Sequence, residues 1–61
     1  MKYFKQYKGT SYFEGGLIEE ISEADALHML QGNYKDPAYA LMYATKENPA
    51  QTPHAYYWQE D

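Results

Sequence analysis

The sequence predicts an α+β domain in which one helix packs on a small, mainly antiparallel sheet, in the order β-β-α-β-β. Three observations carry this. Aromatic residues alternate with others near both ends of the chain, as strands require. A capped, amphipathic stretch lies between Ser22 and Gly32. Gly- and Pro-bearing segments separate the periodic stretches. With 61 residues, the chain is read as a single domain spanning 1–61.

From Lys2 to Lys8, Tyr3, Lys5 and Tyr7 fall on one side and Phe4, Gln6 and Lys8 on the other, which predicts a strand. Gly9-Thr10 is expected to turn the chain, and Ser11 to Glu14 to return antiparallel. Gly15-Gly16 is read as a β-bulge rather than a hairpin turn, with the strand resuming through Leu17 to Ile21. Ser22-Glu23-Ala24-Asp25 has the form of a capping box with Asp in the last place. Glu23 and Asp25 suit the positive end of a helix dipole. Ala24, Leu27 and Leu30 share a face, with Met29 beside them, and Gly32-Asn33 ends the helix.

Residues 36–47 admit two readings. Asp36-Pro37 is a sound helix start, and good helix formers follow it. However, Tyr39, Leu41, Tyr43 and Thr45 alternate with Ala38, Ala40, Met42 and Ala44, and this favours a strand. The loop Glu47 to Pro53 would then join it to a final strand, His54 to Gln59, as a hairpin.

A chain this short buries only roughly 60% of its unfolded surface. It has no cysteine, so neither disulfides nor thiolate metal sites can help. Aromatic packing or a partner must compensate. Aromatic residues make up 18% of the chain, and eight of them are Tyr, which suits both a small core and an interface, with the core favoured. No stretch approaches the about 20 apolar residues of a membrane span. The chain reads as a complete small open reading frame beginning at its own Met, and a cytoplasmic location is expected.

Catalytic chemistry is not announced anywhere. His28 and His54 lie in different elements with no metal-ligand spacing, and Ser22 is better used as a cap than as a nucleophile. Gly15-Gly16 lacks the lysine and the longer glycine pattern of a phosphate loop. The expectation is a non-enzyme with no cofactor and no metal.

Two surfaces stand out as partner-binding candidates. Glu14, Glu19, Glu20, Glu23 and Asp25 form an acidic run that would attract a basic groove, with Asp36 as a neighbour. Tyr56 and Trp58 face one way in the last strand and Tyr57 the other, so either one side is core and the other a contact patch, or both sides fill the core of a very small domain. Net charge is −4, and there is no arginine, the residue best suited to phosphate and guanine contacts; direct nucleic-acid binding is disfavoured.

Carboxylates can occupy the places of phosphates, and aromatic rings the places of bases. In size, acidity, tyrosine richness and lack of cysteine the chain loosely resembles the small acidic inhibitors that phages encode: anti-restriction proteins, anti-CRISPR proteins and uracil-DNA glycosylase inhibitors. The resemblance is one of class and carries no specific motif. It implies a protein partner, a nucleic-acid-binding enzyme, which the chain would inhibit in the host cytoplasm. Two alternatives stand beside it. Lys2, Lys5 and Lys8 among Tyr3, Phe4, Tyr7 and Tyr12 could hold a single-stranded nucleic acid. A small sheet with open edges could also pair into a homodimer as a structural subunit.

Overall fold

The computed structural model describes residues 1–9 and 16–61. Its elements are β1 (Lys2–Tyr7), β2 (Ile18–Ile21), α1 (Glu23–Leu30), α2 (Pro37–Met42), β3 (Ala50–Gln51) and β4 (Ala55–Glu60). The strands form one antiparallel sheet in the order β2-β1-β4-β3, so β1 and β4 are central. The α+β class is therefore as the sequence predicts, and the β-β-α-β-β order holds with a second helix added. The expected strand Ser11 to Glu14, as well as Thr10 and Gly15, lies outside the described residues.

The bulge expected at the double glycine is visible in its second half. Tyr7 N–H donates to Leu17 O at 3.2 Å, while Gly16 N–H donates to Tyr7 O at 2.9 Å. Two residues of one strand thus face a single residue of the other, which defines a bulge. Only glycine permits that approach, because a Cβ on Gly16 would sit 2.5 Å from the Tyr7 carbonyl oxygen.

The α1 signal reads correctly. Ser22 Oγ accepts from Asp25 N–H at 3.1 Å, and Asn33 and Tyr34 N–H close the other end on Leu30 O. The strand favoured for residues 36–47 is not formed: Pro37–Met42 is helical. Asp36 Oδ1 accepts from Tyr39 N–H at 3.1 Å, and Pro37 occupies the first turn, where its missing N–H costs nothing. In a strand the same proline would leave a gap in the ladder. The third strand falls instead inside the expected loop, as the two residues Ala50–Gln51. A tight turn joins it to β4. Thr52 N–H donates to Ala55 O at 2.9 Å, and the buried Thr52 Oγ1 accepts from Ala55 N–H at 3.1 Å.

Both helices lie on the sheet face that carries Tyr3, Tyr57 and Gln59. Tyr3 Oη bonds to Glu23 of α1, and Gln59 Nε2 donates to Met42 O of α2 at 2.6 Å. The largest fully buried side chains are Trp58, Tyr57 and Leu30. Ala26, Ala44, Ala50 and Ala55 complete the core with Leu41, and their small size lets helix and sheet backbones come close. Adjacent strand residues face opposite ways, so Tyr57 packs toward the helices and Trp58 away from them. Phe4, paired with Trp58 in the register, stacks on it at 5.8 Å between ring centroids. Glu60 Oε2 accepts from Trp58 Nε1 at 2.7 Å.

Gly16 and Gly32 make opposite predictions. Gly16→Ala should lower stability by about 1–3 kcal/mol, since backbone must move to admit the methyl. Gly32→Ala meets nothing within 4 Å, and should leave stability unchanged or raise it by about 0.4–1 kcal/mol. Urea midpoints of the two variants check this; equal midpoints would contradict it.

Candidate functional site

Helix α2 sorts its side chains by helical spacing. Leu41 and Ala44 turn inward and are buried, while Ala38, Tyr39, Met42 and Tyr43 turn outward. Tyr39 is 60% exposed, Met42 58% and Tyr43 64%. The two tyrosine rings, four residues apart, lie 4.8 Å from each other at 51°. Sequence reasoning missed this surface because alternation placed Tyr39 and Tyr43 on the same side as Leu41. The signal that finds it is the Asp36-Pro37 start, which sets a period of 3.6 rather than 2.

Beside this surface a groove runs along the junction of α1 and α2, in two hollows that share Leu27 and Ala38. One, of ≈310 Å³, continues over Met1, Tyr3, Leu41 and Met42 to Glu23. The other, of ≈410 Å³, continues over Ala24, His28 and Pro37 to Asp36. Each hollow is thus mainly apolar and has one carboxylate in its lining, Glu23 in the first and Asp36 in the second. The residues lining it include no lysine. Glu23 Oε2 accepts from Tyr3 Oη at 2.9 Å, and this bond raises the tyrosine's pKa, helped by desolvation and by the nearby negative charge.

The acidic run expected from the sequence does not form one surface. Glu19 and Glu20 are neighbours on the edge strand β2, so they point to opposite faces of the sheet. Glu19 lies opposite Lys5, and Glu20 opposite Phe4. Glu23 turns into the groove, Asp25 is exposed on the first turn of α1, and Glu14 lies outside the described residues. Asp36, read only as a neighbour of the run, lines the second hollow of the groove.

The aromatic patch expected at the C-terminal strand is also corrected. Trp58 is 1% exposed, so its ring is core and is not presented to a partner. Tyr56, on the same face, is half-buried with Lys8 Nζ 5.1 Å from its ring centre. The lysine–aromatic strand is divided as well. Lys5 sits over Tyr7 at 4.6 Å on the helix-bearing face, whereas the Lys8–Tyr56 pair belongs to the other. Tyr12, the remaining aromatic of that reading, lies outside the described residues.

Among the described residues no group of three His, Asp or Glu side chains could hold a metal ion, and no helix is long and apolar enough to cross a membrane. The sequence matches no protein-family model, and neither a curated protein nor a solved structure is significantly similar to it.

The Tyr3–Glu23 bond gives a pH prediction. Because the folded-state pKa is raised, the bond's contribution is fully present below the ordinary tyrosine value of about 10 and is lost as pH rises through the raised value. An NMR titration of the Tyr3 ring should find ionisation above that ordinary value, and Glu23→Gln should move it back down. A midpoint unaffected by the substitution would contradict the assigned cause.

Proposed function

We propose that this chain is a non-catalytic protein-binding module that docks on a basic surface of a nucleic-acid-processing enzyme and inhibits it. The observation that carries this reading is the outward cluster Tyr39, Met42 and Tyr43 beside an apolar groove. Tyrosine is a favoured interface anchor, because its ring offers a large rigid contact and its hydroxyl a hydrogen bond. Three large exposed side chains on one short helix concentrate apolar surface that a chain of this size has every reason to bury.

The choice of partner follows from charge. The net charge of −4 and the lack of arginine oppose binding to nucleic acid and favour encounter with a positive surface. Enzymes that handle nucleic acid present such surfaces to phosphates. Glu23 and Asp36, in the linings of the neighbouring hollows, would oppose that positive surface. Occupying it would exclude the natural substrate without any chemistry on the part of the module.

The test compares the parent chain with Tyr39→Ala/Tyr43→Ala in affinity purification from a nuclease-treated bacterial lysate. The parent should retain a discrete enzyme that nucleic acid displaces. The double variant should bind it at least about tenfold more weakly, as loss of two anchor rings implies. Its melting temperature should stay close to the parent's, because both rings are mostly exposed. Undiminished retention by the variant would sink the assignment of the surface. Release of the retained material by nuclease alone would favour a nucleic-acid partner instead.

A further inference from the structure

We infer that the α1–α2 groove is a receptor for a short partner segment in which an apolar side chain is flanked by lysine or arginine on both sides. This deepens the binding-module reading and rests on it. The middle of the groove, at Leu27 and Ala38, is apolar and is common to both hollows. Outside that shared part each hollow adds one carboxylate, Glu23 in the first and Asp36 in the second. An apolar partner alone would leave those carboxylates facing carbon, and a wholly basic one would leave the middle unfilled. A basic–apolar–basic order matches both.

Each carboxylate keeps acceptor capacity for a cation. Glu23 uses Oε2 on the Tyr3 hydroxyl, and Asp36 uses Oδ1 on the Tyr39 amide, so among the described residues the second oxygen of each has no side-chain partner. These bonds also fix the two carboxylates in place before a partner arrives. Asp36 is held at the start of α2 and Glu23 against β1. The cost of ordering flexible acidic side chains on binding is thereby reduced. No lysine side chain lines either hollow.

The groove and the Tyr39–Tyr43 cluster lie on different sides of α2, so the two can be tested apart. The probes are fluorescein-labelled synthetic peptides with repeating Lys-Leu-Leu-Lys units and a counterpart with Glu in place of every Lys. They are titrated into the full chain at low and moderate salt. The lysine peptide should bind and shift the methyl resonances of Ala24, Leu27 and Ala38, and the glutamate peptide should not. Glu23→Gln and Asp36→Asn should each weaken binding about two- to fivefold, the range for a single exposed ion pair, and less so as salt is added. Ala38→Lys, at an exposed position that tolerates a longer side chain, should abolish binding while circular dichroism reports an intact fold.

Equal binding of both peptides, resonance shifts outside the groove, or no binding of the lysine peptide would overturn the inference. If the peptides fail while Tyr39→Ala/Tyr43→Ala still releases the enzyme, the module reading stands and the groove assignment falls. If the peptides bind as expected while that double variant keeps its enzyme, the groove stands and the tyrosine surface falls.

Discussion

Strand β4 is buried on both faces, and the rest of the molecule is arranged around that constraint. Tyr57 faces the helices and Trp58 faces away, and both are almost wholly enclosed. A 61-residue chain without valine, and with only two isoleucines, has few other large apolar side chains to spend on a core. Placing its largest rings on one central strand lets β1 and β3 flank them. The four core alanines follow from this, since bulky rings need small residues opposite them if the layers are to pack without strain.

The same economy explains why α2 is outwardly aromatic. It supplies only Leu41, with Ala44 just beyond it, to the core, and its Met42 carbonyl receives the Gln59 amide. Helix α2 is thus anchored by few inward groups while its outer side carries Tyr39, Met42 and Tyr43. Position in the core and exposure to a partner are separated residue by residue along one helix. The apolar surface that this leaves in water is the physical basis of the binding reading.

The sequence made the sheet's long strands legible because their alternation is clear and their ends are punctuated by glycine and proline. It also made α1 legible through Ser22, whose oxygen does what the capping pattern requires. The Gly16 bulge could be read because glycine next to a strand often marks a bulge or a close approach of backbones. Helix α2 was obscured by an accident of spacing. In Ala-Tyr-Ala-Leu-Met-Tyr-Ala, large and small residues alternate over a stretch too short for the two periods to separate. The sequence leaves the burial of Trp58 undecided between core and contact patch, because strand parity tells which residues share a face, but not what covers it. The groove could not be read at all, because it depends on α1 and α2 lying side by side.

Tyr34 covers part of one border of the sheet. Its hydroxyl accepts from the Gln51 N–H at 2.9 Å, so one outward amide of β3 is already occupied by a side chain of the same molecule. A strand arriving at that border would have to displace a tyrosine before it could begin a ladder. Extension of the sheet by a neighbouring chain is therefore obstructed at β3, and a short strand that looks too weak to matter serves as a terminator.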